Sequence, residues 1–179
     1  MHPITWGRDV LTMVYQATAG MEVETKILAP RRAVFEIIGD PAYWQELFTC
    51  ITDGEILTDY SAGEGAQLKW EVTVAGISVD VREEITVHEP PTQFRWASVE
   101  GSDWEHEGAV SFDRLGSERT LVRTYMDYDF PRVVDNRVGR ALFKRRFQFE
   151  IERSFACVEP MLAEHEIGQD GCEDGEHDE

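Results

Sequence analysis

The first part of the chain alternates between apolar and charged positions. Residues 21–27 read Met-Glu-Val-Glu-Thr-Lys-Ile, and this two-residue period predicts a half-buried strand. Pro30 then predicts the start of a helix, because a proline in the first helical turn lacks only an N–H that has no partner there. The helix has an apolar side over residues 34–38, and Gly39 ends it. A second short helix is predicted over Ala42–Phe48.

A series of short alternating segments follows, separated by turns rich in glycine. Their spacing is typical of consecutive antiparallel hairpins, and Pro90-Pro91 breaks the ladder midway. The predicted strands are Glu55–Tyr60, Ala66–Ala75, Ile77–Val87, Phe94–Ser98, Trp104–Phe112 and Val122–Phe130.

After Pro131 the apolar period changes from two residues to three and four. This stripe predicts one long amphipathic helix, and it comprises Phe143, Phe147, Ile151, Phe155, Val158 and Leu162. An antiparallel sheet has one face in water and one to be covered, and this helix is the element left to cover it. The pattern therefore predicts an α+β fold: a curved antiparallel sheet of about six to seven strands wrapped on a long C-terminal helix, with two short helices after the first strand.

Three segments follow from these patterns. Residues 1–20 have no clear period and are predicted to be an N-terminal extension. Residues 21–165 form the predicted folded domain. Residues 166–179 are acidic and poor in apolar side chains, which predicts a disordered tail.

Charge narrows the range of partners. The net charge is −18, and so acidic a surface argues against binding nucleic acid or anionic lipid headgroups. Lysine is scarce among the basic residues, which fits a protein kept soluble in high salt or, alternatively, a GC-rich genome that favours arginine codons. No apolar run is long enough to span a membrane, and no secretory signal is evident, so we expect a cytoplasmic protein.

The sequence contains no recognisable motif for metal binding, nucleotide binding or a disulfide framework. The three cysteines, Cys50, Cys157 and Cys172, are widely spaced and form no C-x-x-C pair, which argues against a zinc site and a disulfide framework. Glycine-rich phosphate loops and the H-E-x-x-H zinc motif are absent from the sequence. We therefore expect no metal and no cofactor.

Several short segments add a local signature to this order of elements. They are Val23–Pro30 with Val34-Phe35, Asp40-Pro-x-x-Trp44, Trp104-Glu-His106 leading to Val110-Ser-Phe112, Arg119-Thr120, and Tyr128-Asp-Phe-Pro131. With them the chain resembles the START-like or SRPBCC superfamily, whose helix-grip fold is also called birch-pollen-allergen-like, and members described as polyketide cyclase/dehydrase-like are nearest. The resemblance implies a hydrophobic pocket between sheet and helix, and it does not by itself imply catalysis.

Two polar residues share the apolar phase of their strands and are the candidate catalytic residues. His106 is in phase with Val110 and Phe112; it is either a proton-transfer group facing a ligand or a half-buried histidine near a strand end. Glu83 is in phase with Val81 and Ile85. It is either a polar anchor or acid/base in the cavity, or a residue turned outward by a bulge before Glu84.

The remaining candidates would line the cavity or merely form core. The ligand-binding set comprises Trp70, Trp96, Trp104, Thr124, Tyr128, Phe143, Phe147 and Ile151. Separately, Arg140, Lys144, Arg145 and Arg146 form a basic cluster on the last helix. This cluster either steers an acidic carrier or anionic ligand, or is a solvated face paired with Glu150 and nearby acids.

Three functions remain open. The first is a module that carries or sequesters a small hydrophobic molecule, such as a lipid, polyketide or isoprenoid-like compound. The second is a polyketide cyclase/aromatase-like lyase that uses His106 with Glu83 or Tyr128. The third is a protein-interaction role, as in co-chaperone relatives of the superfamily. The sequence does not determine the oligomeric state.

Overall fold

A computed structural model of the chain describes residues 20–134 and 136–170. These residues form seven strands, four α-helices and one 3-10 turn. In chain order they are β1 (Gly20–Ile27), α1 (Arg31–Ile38), the 3-10 turn (Pro41–Tyr43), α2 (Trp44–Leu47), β2 (Ile51–Ile56), β3 (Gln67–Val74), β4 (Ile77–Glu89), β5 (Gln93–Ser98), β6 (His106–Arg114), β7 (Thr120–Tyr128), α3 (Arg137–Phe155) and α4 (Val158–Asp170).

The seven strands form one antiparallel sheet in the order β1-β7-β6-β5-β4-β3-β2. Consecutive strands from β2 to β7 are therefore neighbours joined by hairpins, and β1 crosses over to pair with β7. The tightest hairpin joins β3 to β4 through Ala75 and Gly76, which both have positive φ angles. Positive φ at both turn positions matches the twist of the flanking strands.

The C-terminal helix lies on the inner face of this sheet and closes the core. Asn136 caps α3, because its side chain accepts a hydrogen bond from the Gly139 N–H. The predicted stripe is the buried side of the helix: Phe143, Phe147, Ile151 and Phe155 are all buried. The predicted fold class, a helix-grip fold with short helices after the first strand, is confirmed.

The long helix is bent where α3 passes into α4. Ala156 and Cys157 separate the two helices, and Pro160 supplies the physical reason. A proline cannot donate to the carbonyl four residues earlier and its ring clashes with that carbonyl, here that of Ala156. In the first turn of a new helix the same proline is tolerated. The apolar stripe continues through the bend, with Val158 also buried.

Other boundaries differ from the sequence-based expectations. The strand predicted over Glu55–Tyr60 was wrong in position, since β2 spans Ile51–Ile56. At the C-terminal end α4 is helical to Asp170, beyond residue 165, where the predicted domain ends. The rest of the predicted tail, residues 171–179, and residues 1–19 of the predicted extension lie outside the described residues. No helix in the described part of the chain is long and apolar enough to cross a membrane.

Candidate functional site

An interior cavity of about 90 Å³ lies between the sheet and α3. Aromatic and aliphatic side chains from all seven strands, α2, α3, the segment after α2 and the segment before β6 form most of its wall. The lining residues are Met21, Trp44, Phe48, Cys50, Ile51, Trp70, Val72, Val81, Glu83, Phe94, Trp96, Trp104, His106, Val110, Thr124, Met126, Phe147, Ile151 and Phe155.

The alternation of side chains along β4 places Glu83 in this apolar wall. Successive strand residues face opposite sides of the sheet, so Glu83 points to the same side as Val81 and Ile85, both of which are buried. The irregularity in the β4–β5 pairing lies between Ile85 and Val87, beyond Glu83. Glu83 is consequently only 4% exposed, and the bulge that would turn it outward is not present.

Glu83 joins two other cavity residues in a hydrogen-bond chain. The Trp70 indole N–H donates to Glu83 Oε1 over 2.8 Å. The other carboxylate oxygen, Oε2, lies 2.8 Å from His106 Nε2. On the far side of the imidazole, His106 Nδ1 lies 3.0 Å from the Trp104 carbonyl oxygen. Strands β3, β4 and β6 thus each contribute one member.

The geometry of this hydrogen-bond chain limits where its protons can lie. A carbonyl oxygen only accepts hydrogen bonds, so His106 Nδ1 carries a proton and donates it to Trp104. One further proton must then lie between Nε2 and Oε2, since a bare nitrogen lone pair facing a carboxylate at 2.8 Å would repel it. The buried pair therefore holds a shared proton, either as imidazolium with carboxylate or as imidazole with carboxylic acid.

Thr124 is a second buried polar residue in the cavity wall. The residue is 4% exposed, and its hydroxyl has no hydrogen-bond partner among the described residues. Thr124 pairs with Val110 in the β6–β7 ladder, whereas His106 pairs with Tyr128. Four residues of strand separate the two levels, about 13 Å at 3.3 Å per residue. The two polar groups consequently lie at different depths along the sheet.

The structure brings most of the sequence-predicted site residues together around this space. Six of the candidate ligand-binding residues line the cavity with His106 and Glu83: Trp70, Trp96, Trp104, Thr124, Phe147 and Ile151. The other two, Tyr128 and Phe143, are not in its wall. They pack behind it against Trp104 and Phe147. Burial there raises the pKa of Tyr128 to about 12.

Several wall residues were not singled out from the sequence. Trp44 is one of them: α2 places its ring against Trp70, Phe94 and Trp96, and its indole N–H donates to the Ile38 carbonyl. The Asp40-Pro41 start of this turn was the available signal, since Asp40 accepts a hydrogen bond from the Ala42 N–H. Cys50 was another, and the loop position before β2 gave no period from which to infer its direction.

Cys50 contributes a protonated thiol to the wall. Burial and, secondarily, the nearby Glu150 carboxylate raise its pKa to about 12. Glu150 is itself buried, accepts a hydrogen bond from the Thr49 hydroxyl over 2.8 Å, and pairs with Arg146. The predicted alternative for Arg146, pairing with Glu150 on the helix, is therefore what the structure shows. Among the described residues, no group of three or more histidine, cysteine or carboxylate side chains is placed to hold a metal ion.

Two cavity tryptophans lie directly on glycines of the neighbouring strand. Trp96 pairs with Gly108, and a Cβ added to that glycine would lie 2.2 Å from the Trp96 ring. Trp70 pairs with Gly54 in the same way, with the corresponding distance at 2.0 Å. In both places the ring occupies the volume that any larger residue would fill. These glycines thus allow the indoles to lie close to the sheet.

The sequence matches one protein-family profile and one curated relative. The profile of the family described as polyketide cyclase/dehydrase and lipid transport matches residues 18–156. A curated relative is an uncharacterized 17.2 kDa protein of Streptomyces lincolnensis, 34% identical over 86 residues. That match covers 47% of this chain and 56% of the relative, so the chain spans about half the length of the curated protein it matches.

Solved structures share the fold at low sequence identity. A protein of Thermus thermophilus superposes with a TM-score of 0.70 at 20% identity, covering 82% of this chain and 98% of that one. A START superfamily protein of Mycobacterium smegmatis gives 0.65 at 17% identity, covering 79% and 98%. The Zhui aromatase/cyclase of a Streptomyces species gives 0.62 at 18% identity, covering 78% and 93%. The resemblance drawn from the sequence is confirmed.

Proposed function

Because the chain belongs to the polyketide cyclase/dehydrase and lipid transport family, we propose that its cavity binds a small, mainly apolar molecule that carries one or two hydrogen-bonding groups. The observation that carries the proposal is the Thr124 hydroxyl, buried in an apolar wall without a partner. Such a group costs about 1–3 kcal/mol while it is unsatisfied. A guest that bonds to it removes this cost, which favours a binding role over a protein-interaction role.

The size of the cavity limits what enters without rearrangement. Pockets for drug-sized ligands are about 300–1,000 Å³, and a cavity of about 150 Å³ in another protein binds benzene. At about 90 Å³, this one is close to a single ring. A longer guest requires wall side chains to move, and Phe48, Ile51 and Trp96 are the half-buried ones.

Native mass spectrometry of freshly purified protein tests this proposal, with Thr124→Val as the variant. We expect a bound small molecule on the wild-type chain and an affinity for it about fivefold to tenfold lower in the variant, because one hydrogen bond is lost. The variant should be at least as stable as the wild type, since valine removes an unsatisfied hydroxyl at nearly constant volume. Thr25→Val, on the same face but outside the cavity wall, is the control.

The absence of any added mass, together with no thermal shift from single-ring aromatic compounds, would contradict the proposal. Equal affinities in Thr124→Val and Thr25→Val would instead remove Thr124 from the site.

A second candidate function is an acid/base enzyme of the cyclase or dehydratase type. The observation that favours it is the 2.8 Å contact between Glu83 and His106 with its shared proton, since a buried pair of this kind can give and take one proton during a reaction. The same mass measurement separates the two roles. A carrier releases its guest unchanged, whereas a dehydrating enzyme releases a product lighter by one water.

A further inference from the structure

We infer that the cavity selects neutral hydrogen-bond donors, an alcohol or a phenol, and excludes carboxylates such as fatty acids. This inference rests on the proposed function and names the ligand class for the same site. It follows from an account of which donors and acceptors in the cavity are still free, and from the charge of the surface outside it.

The free groups at the Glu83 end are acceptors. His106 has no spare N–H, because Nδ1–H donates to the Trp104 carbonyl and Nε2 faces Glu83. The Trp70 N–H is likewise committed to Glu83 Oε1. Each carboxylate oxygen, however, accepts more than one hydrogen bond. A guest hydroxyl can therefore donate to Glu83 without breaking any existing contact.

An anionic guest finds the opposite situation. Its oxygens need donors, and the described wall offers only uncharged ones: the Thr124 hydroxyl, the Trp96 indole N–H and the weakly donating Cys50 thiol. At the Glu83 end the Trp70 and His106 N–H groups are already committed. Burying a charge without paired donors costs far more than burying a neutral polar group. The interior thus favours a guest that brings a proton over one that brings a negative charge.

The surface outside this end of the cavity has the same preference. Trp104 borders both the cavity and an outer groove. The charged residues lining that groove are five carboxylates and one base: Glu71, Asp80, Asp103, Glu105 and Asp129 against Arg132. Asp129 holds the Trp104 ring in place, since its carbonyl accepts the indole N–H over 2.6 Å. The negative potential of this groove repels anions that approach the Trp104 side of the cavity.

Three matched probes test the inference: 4-fluorophenol, 4-fluorotoluene and 4-fluorobenzoate. They share one ring and one fluorine reporter, so fluorine NMR gives a Kd for each under the same conditions. We expect 4-fluorophenol to bind about tenfold more tightly than 4-fluorotoluene, which lacks the donor. We expect 4-fluorobenzoate to bind more weakly than either.

Glu83→Gln is the decisive variant. The amide oxygen still accepts from Trp70 and the amide N–H₂ donates to His106, so the chain of contacts survives, while a carboxyl oxygen that can accept from a guest is replaced by an N–H₂ group that can donate to one. The preference for 4-fluorophenol over 4-fluorotoluene should fall to about twofold, and 4-fluorobenzoate should gain affinity. Thr25→Val should leave all three constants unchanged. Raising NaCl from 0.15 M to 1 M screens the outer groove but not the interior, so exclusion of 4-fluorobenzoate should persist.

Two results would overturn the inference while leaving the binding proposal intact. One is 4-fluorotoluene binding as tightly as 4-fluorophenol, and the other is 4-fluorobenzoate binding at least as tightly as 4-fluorotoluene. Failure of all three probes to bind would contradict the binding proposal as well.

Discussion

Burial beside few polar partners shifts the pKa of single residues in this molecule. Cys50 is the clearest case: it is buried, and both burial and the Glu150 carboxylate disfavour its thiolate. A thiolate, not a thiol, is the form that attacks electrophiles. The folded chain therefore keeps this cavity thiol inert, although it lies where a guest would touch it.

This gives a pH dependence of stability with a definite sign. The Cys50 pKa rises from 9.0 to about 12 on folding, so above pH 9 the unfolded chain loses a proton that the folded chain keeps. The resulting stability is complete below pH 9 and is lost between pH 9 and 12, at no more than about 1.4 kcal/mol per pH unit. Urea unfolding of wild type and Cys50→Ala at pH 8 to 11 measures it: the difference between them should shrink as pH rises.

Cys157→Ala, at the bend between α3 and α4, is the control for removing a thiol outside the cavity wall. A constant difference between wild type and Cys50→Ala across this range would show that Cys50 ionises equally in both states. Burial also raises the pKa of Tyr128 to about 12. Tyr128 contributes the same pH dependence of the unfolding free energy to wild type and variant, so its contribution cancels in their difference.

Which residues face the cavity could be predicted one strand at a time, but which of them touch could not. The two-residue period put Glu83 and His106 in phase with apolar neighbours but left an outward bulge open for Glu83, and in the structure both residues are buried. Their contact depends on β5 lying between β4 and β6 in a particular register, with Glu83 opposite Ser98. Ser98 in turn accepts from the His106 backbone N–H. No local pattern in the sequence contains that long-range alignment.

Pairs of elements, rather than single residues, set the shape of the cavity wall. Trp96 lies against the sheet because its partner on β6 is Gly108. The size of the residue at position 108 therefore determines how far the Trp96 indole projects into the cavity. The same logic applies to Trp70 over Gly54 on β2.

Gly108→Ala tests this arrangement. Its new Cβ would lie 2.2 Å from the Trp96 ring, so the ring must move toward the cavity. We expect a loss of about 1–3 kcal/mol in unfolding free energy, as for overpacked cores, and weaker binding of single-ring probes. Gly116→Ala is the control, because nothing lies within 4 Å of a Cβ there. Equal stability of the two variants, measured by urea unfolding, would contradict the claim.

The elements that sequence patterns misplaced have physical explanations. β2 is an edge strand with a register shift between Ile51 and Asp53, and three of its six residues are exposed while none is fully buried. It therefore lacks the buried face that produces a period. The bend at Ala156 was missed because the apolar stripe continues through it and only Pro160 marks it.

At the scale of the whole molecule the dominant quantity is a net charge of −18. Folding brings these charges closer together, so their mutual repulsion opposes the compact state. Added salt screens the repulsion, since the Debye length falls from about 30 Å at 0.01 M to about 8 Å at 0.15 M.

We therefore expect the melting temperature of the full chain to rise as NaCl increases over this range. For a chain of this size, each kcal/mol of relieved repulsion raises Tm by roughly 2–4 °C. Differential scanning calorimetry at constant pH measures the effect, and potassium chloride at equal concentration is the control for ion-specific effects. A Tm that stays constant or falls between the two salt concentrations would show that repulsion does not limit stability.

Four of the five tryptophans in the sequence, Trp44, Trp70, Trp96 and Trp104, border the same small cavity. The wall that encloses a guest is thus also the main ultraviolet chromophore of the protein. Trp44 packs against both Trp70 and Trp96 with ring centroids 6.2 Å apart in each pair, so excitation of one indole is passed readily to its neighbours. Displacing any one ring consequently alters the fluorescence of the whole group. The occupied and empty molecules therefore differ in their tryptophan emission spectrum, without any added label.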